Sequence, residues 1–121
     1  MKIATVAVYV ANQGEAVRFW TERVGFVIHR EKTMTADMRW VEVGPRGAES
    51  CLVLYPRALM QDWAERKPSV VFECPDLAKA HGEMVARGVA FQQPPTPMPW
   101  GPFAIFLDPE GNWFGLRETP A

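Results

Sequence analysis

Short apolar runs alternate with polar breaks along this chain, and the spacing of the apolar positions changes from run to run. Residues 3–10 are small or branched and apolar at nearly every position, which predicts a buried strand. Asn12, with Glu15 three residues on, has the form of a helix capping box. Ala16, Phe19, Trp20 and Val24 then fall on one helical face, and Gly25 stops the helix. Strands are predicted over 26–30, 38–43 and 51–55, with a turn at 44–47. A short connecting helix is expected within 57–67. Residues 69–74 read as a new strand, and Asp76 as the N-cap of a helix whose apolar stripe is Leu77, Ala80, Met84 and Val85. Gly88 ends that helix. A short strand over 89–92 follows, and Pro94, Pro95, Pro97, Pro99 and Pro102 then crowd a stiff loop. Strands over 103–107 and 113–117, joined by the Asp108-Pro109-Glu110-Gly111-Asn112 turn, close the pattern.

Read in order, the elements repeat. Each half runs strand, helix, then three strands, and the openings Thr5-Val6-Ala7-Val8 and Ser69-Val70-Val71-Phe72 correspond. Modules of about 3–55 and 69–118 within one domain, 1–121, fit the length. Composition adds exclusions. Thirteen Lys and Arg against 14 Asp and Glu give a net charge of -1, so no basic field points to nucleic acid or an anionic membrane. A hydrophobic content of 48% argues against disorder. Two Cys are too few for a disulfide scaffold. No leader or membrane-spanning run is read, and the expectation is a cytoplasmic protein. Five Trp against two His is the unusual ratio.

The duplicated unit resembles the vicinal oxygen chelate superfamily, also called the glyoxalase / bleomycin resistance / dioxygenase superfamily. Val6-Ala7-Val8-Tyr9-Val10, Ala16-Val17-Arg18-Phe19-Trp20 and Val24-Gly25-Phe26 carry the likeness in the first half. In the second half it rests on Ala86-Arg87-Gly88-Val89, Pro99-Trp100-Gly101 and Asp108-Pro109-Glu110-Gly111-Asn112 with Trp113-Phe114. The resemblance implies an α+β fold, with two βαβββ modules forming a curved half-barrel sheet and the helices outside. Family enzymes hold one divalent metal in that cup through the first and last strands of each half. Those positions here are Thr5, Leu52, Ser69 and Gly115, and none is an imidazole or a carboxylate. Zinc, iron and nickel want imidazole, carboxylate or thiolate. Among the neighbours one residue away, only Cys51 could ligate. The expectation is therefore no metal, no other cofactor and no catalytic residue.

Strand alternation extends the set of cup residues. Thr5 brings Ala7 and Tyr9 inward, and Leu52 brings Leu54, which would turn Cys51 to the helix layer. Ser69 brings Val71 and Glu73, and Gly115 brings Trp113 and Arg117. Trp100 in the Pro-rich loop is a rim residue, and Trp40 joins the ligand-binding set with its facing open, as is that of Phe103. Trp20 is expected in the core, and Trp63 in the linker or a dimer contact. His29 reads as a strand-end surface residue, His81 as structural, and both thiols as inert. Glu42, Glu73, Arg39 and Arg117 either meet a polar ligand group or form a solvated rim.

The expected function is metal-independent binding of a small aromatic or extended molecule, an antibiotic among the candidates, by a homodimer. The alternative is a superfamily enzyme, a lyase, isomerase or dioxygenase, with atypical or no metal ligands. In that reading Glu42, Glu73 or His29 would hold metal, or Glu73 would act as a base beside Tyr9. A third reading is a structural or regulatory module that works through its dimer surface.

Overall fold

The computed structural model describes residues 3–36 and 38–120. Residues 1, 2 and 121, the ends of the expected single-domain span, lie outside the described residues, as does residue 37. The chain divides into two compact units at Pro68 and Ser69. The first runs β1 (Thr5–Val10), α1 (Gln13–Arg18), a π turn (Phe19–Arg23), β2 (Val27–Thr35), β3 (Met38–Gly44) and β4 (Cys51–Pro56). Its sheet has the order β1-β4-β3-β2, with β1 and β4 parallel and the other neighbours antiparallel. The second runs β5 (Val71–Cys74), α2 (Leu77–Ala86), β6 (Phe91–Met98), β7 (Gly101–Leu107) and β8 (Trp113–Glu118). Its sheet repeats the plan as β5-β8-β7-β6, with β5 and β8 parallel. The fold is α+β, made of two βαβββ units whose sheets do not close on themselves.

In the first unit the apolar side of the helix covers one face of the sheet. Asn12 caps α1 by accepting the Glu15 N–H at 2.9 Å. The chain then widens into the π turn, where the Val24 N–H reaches the Phe19 carbonyl at 3.0 Å. Phe19 and Trp20 are thereby buried with Val8, Val10, Val41, Val43 and Leu54. Trp20, expected in the core, is fully buried and stacks on Phe26 at 5.4 Å. Gln13 ties the helix to the sheet: its side-chain N–H group donates to the Leu54 carbonyl at 2.9 Å and the Arg39 carbonyl at 2.7 Å.

In the second unit α2 buries Leu77 and Met84, and its His81 ring meets Phe91 edge-on at 4.5 Å. Phe72, Phe106 and Phe114 stack below at 5.6–6.1 Å. Val85, expected on the apolar stripe, is 50% exposed. The buried side runs Leu77, His81 and Met84, so the angular step of the helix carries Val85 past its edge. Gly88, at φ 89°, closes α2: the Val89 N–H bonds the Met84 carbonyl and the Gly88 N–H the Val85 carbonyl, both at 3.0 Å.

Three expected elements differ. The connecting helix is two 3₁₀ turns, Arg57–Leu59 and Trp63–Glu65, held by i to i+3 bonds. Strand β2 runs to Thr35 rather than residue 30, and its polar Arg30-Glu31-Lys32 lies on a sheet edge where charge guards open backbone groups. The Pro-rich stretch is not a loop. Pro94, Pro95 and Pro97 lie within β6, also an edge strand, whose pairing with β7 shifts register at Gln93 and Thr96. An edge strand tolerates a missing N–H, and its bulges absorb the ring.

Candidate functional site

Register decides which side chains share a face. In the first unit Thr5, Ala7 and Tyr9 pair directly with Cys51, Val53 and Tyr55. Glu42 pairs with Val53 on the other side of β4. The helix-free face therefore carries Thr5, Ala7, Tyr9, Trp40, Glu42, Cys51, Val53 and Tyr55. Leu52 and Leu54 point the other way, level with Val6, Val8 and Val43, under the helix. The expected grouping of Leu52 and Leu54 with Thr5 is thus corrected by one residue, and Cys51 does not face the helix layer. All four of Cys51, Leu52, Val53 and Leu54 are buried, so burial alone leaves no alternation to read.

An aromatic row crosses this face. The Tyr9 and Tyr55 rings meet edge-on at 5.8 Å, and the Tyr55 and Trp40 rings at 6.4 Å. The Trp40 indole N–H donates to Glu42 Oε2 at 2.7 Å. Beside the aromatic row lies a row of Glu42, Val53 and Ala7, two of them small and apolar. The result is a shallow shelf with an aromatic wall and a carboxylate at one end. Tyr9, Tyr55, Trp40 and Glu42 are all half-buried.

In the second unit Val71 pairs with Gly115 and Glu73 with Arg117, while Phe103, Ile105 and Leu107 pair with Arg117, Gly115 and Trp113. These residues share the face opposite α2. Ser69 precedes β5 and is exposed. The Gly115 position is not open space. A Cβ there would meet Phe103 Cζ at 2.8 Å and Val71 Cγ2 at 3.0 Å, so the Phe103 ring occupies the space beside the glycine. Trp100 sits at the β6–β7 turn, 64% exposed, with its ring 6.2 Å from Phe103. Trp113 is 58% exposed.

The remaining candidates are engaged elsewhere. Arg117 binds Glu73 Oε1 through both Nη2 at 2.9 Å and Nε at 3.1 Å, and a carboxylate so held is a poor general base. His29 Nε2 lies 2.8 Å from the Pro45 carbonyl at the β3–β4 turn. Arg39 pairs with Glu31. The Arg57 guanidinium lies 4.3 Å over the Trp63 ring. Cys74 is half-buried, and desolvation followed by nearby carboxylates pushes its thiol up, away from a reactive thiolate.

A divalent metal does not fit these residues. Thr5 shares its face with the Cys51 thiol and one carboxylate, Glu42, which accepts from Trp40, and Gly115 shares its face with Glu73, which is held by Arg117; neither face offers an imidazole or a second free ligand. Among the described residues, no three His, Cys, Asp or Glu side chains group closely enough to hold one. Among the described residues, no helix is long and apolar enough to cross a membrane.

The family model described as the Glyoxalase/Bleomycin resistance protein/Dioxygenase superfamily matches residues 2–116. The chain belongs to this superfamily. It is 46% identical over 117 residues to the uncharacterized protein YetH of Bacillus subtilis (strain 168), covering 97% of this chain and 98% of that protein. A superfamily member from Sphaerobacter thermophilus DSM 20745 superposes with a TM-score of 0.87 at 31% identity, covering 98% of each chain. TnmS3, an antibiotic binding protein from Streptomyces sp. CB03234, superposes with a TM-score of 0.83 at 30% identity, covering 99% of this chain and 97% of that one. The superfamily hosts several chemistries, so membership gives the scaffold, and the residues must supply the function.

Proposed function

We propose that this superfamily member is a metal-independent small-molecule binding protein that takes a planar aromatic or extended ligand, an antibiotic being one candidate class. The observation that carries the reading is the aromatic row of Tyr9, Tyr55 and Trp40 beside the low shelf of Ala7 and Val53. Aromatic walls with a few polar groups hold planar ligands by stacking and burial. The helix-free face of the second sheet, taken by itself, offers its own candidate contacts in Trp100, Trp113, Val71 and the Glu73–Arg117 pair. The likeness to TnmS3, which binds an antibiotic, supports the same class. The reading carries a homodimer with it, as the family resemblance implies, and a cytoplasmic location, as the sequence expectation has it.

Tryptophan fluorescence and melting temperature test this directly. Trp40, Trp100 and Trp113 lie on or beside the proposed surfaces, while Trp20 is buried and unresponsive. A panel of planar aromatic antibiotics should contain a compound that quenches emission saturably. A hundredfold excess over its dissociation constant should add about 2.7 kcal/mol to stability. A panel that neither quenches emission nor moves the melting temperature counts against the reading.

A further inference from the structure

Glu42 is the unusual group on the shelf. Its neighbours toward β4 are aromatic or small and apolar, Arg30 stands opposite it toward β2, and its one side-chain bond among the described residues is from the Trp40 indole to Oε2. A half-buried carboxylate loses hydration and gains most from a positive partner. The cations around it do not supply one. Arg30 lies opposite Glu42 and Lys32 opposite Trp40 across the β2–β3 ladder, and neither makes an ion pair with Glu42 among the described residues. Arg66 is taken by Asp62 at 2.8 Å, and Arg39 by Glu31. Closing Arg30 onto Glu42 would fix a long exposed side chain for the small return of a surface ion pair.

From this we infer that the ligand of the first-unit shelf is a planar aromatic cation, an amine or a ring nitrogen that is protonated at neutral pH. This rests on the binding function proposed above and specifies its ligand class. The ring lies over Ala7 and Val53, its edge against Tyr55 and Trp40. The positive group meets Glu42 Oε1, the oxygen that the indole leaves open. The negative faces of the aromatic row favour the same charge. Trp40 has two roles here: its ring forms the wall, and its N–H fixes the carboxylate in the direction of the ligand. A bound cation that also buries its ring gains what Arg30 cannot.

Proflavine, a planar cationic diaminoacridine, and acridone, an uncharged ring of similar size, are suitable probes. They would be titrated against the wild type and the Glu42→Gln and Arg30→Ala variants, followed by tryptophan emission. Glu42→Gln keeps an oxygen to accept the Trp40 N–H but removes the charge. Proflavine should bind the wild type at least tenfold more tightly than acridone does. Glu42→Gln should weaken proflavine about tenfold and leave acridone unchanged, which converts to roughly 1.4 kcal/mol. Arg30→Ala should tighten proflavine by removing the competing cation. If both probes bind equally and neither variant matters, the cation assignment is overturned while the binding function stands. If neither probe binds but an uncharged or anionic antibiotic does, the cation assignment is again overturned and the binding function kept. If no planar ligand binds at all, the binding function itself fails. A melting temperature for each variant close to that of the wild type confirms that a lost affinity is not a lost fold.

Discussion

Gly115 shows how much one position can decide. Its missing side chain leaves no vacancy, because Phe103 Cζ would stand 2.8 Å from an added Cβ and Val71 Cγ2 3.0 Å from it. Gly115→Ala should therefore destabilise the protein by about 1–3 kcal/mol through overpacking. Adding Phe103→Leu removes the colliding ring carbon and should recover part of the loss. Urea unfolding midpoints of the single and double variants check both. Asp108 is the buried carboxyl of the β7–β8 turn. Its Oδ1 accepts the N–H groups of Glu110 at 3.0 Å and Asn112 at 2.8 Å, and its Oδ2 accepts the Asn112 side chain at 3.0 Å. Burial outweighs these bonds and raises its pKa above the ordinary 3.8. The folded state then holds this proton more tightly than the unfolded chain does. Stability from this group is full below 3.8 and falls as pH rises toward the raised native value, then levels. The advantage of the wild type over Asp108→Asn should shrink across that window in unfolding free energies measured against pH.

Among the elements, the helices and the edge strands carry different lessons. Gln13 joins α1 to two strands through the Arg39 and Leu54 carbonyls. Replacing it by Ala leaves a part-buried carbonyl unanswered and should cost about 1–3 kcal/mol, read as a lower denaturant midpoint with unchanged m-value. The capping signals at Asn12 and Asp76 were readable because a side chain three residues from its backbone partner is local chemistry. The edge strands were read less well. A proline-dense stretch such as 94–97 reads as a loop, since its missing N–H groups disfavour a ladder, and only the position of β6 at the sheet edge makes those groups dispensable. The charged run in β2 hides its strand for the same reason. The segment between Pro56 and Pro68 has a helical composition but closes only i to i+3 turns.

For the whole molecule, two readings meet a direct measurement. Elemental analysis of purified protein should find no stoichiometric transition metal, since the expected ligand positions carry no imidazole or carboxylate and, among the described residues, no three His, Cys, Asp or Glu side chains group together. Sedimentation equilibrium should give twice the 13.6 kDa chain mass if the proposed homodimer forms. The order of elements, the repeat, the caps, the buried Trp20 and the family were all legible in the chain, because each is written in neighbouring residues or in their spacing. So was the shared face of Val71, Glu73, Gly115 and Arg117, where alternation is clear, though not their direct pairing. The facing of β4 was not. Cys51, Leu52, Val53 and Leu54 are all apolar and all buried, so no period marks an inside, and the parallel register with β1 had to set it. Together with the antiparallel register of β3 on β4, that register brought Trp40 and Glu42 beside Tyr55 and Tyr9, from three different strands. A shelf made that way is a property of strand pairing, which depends on contacts between segments and leaves no local mark in either one.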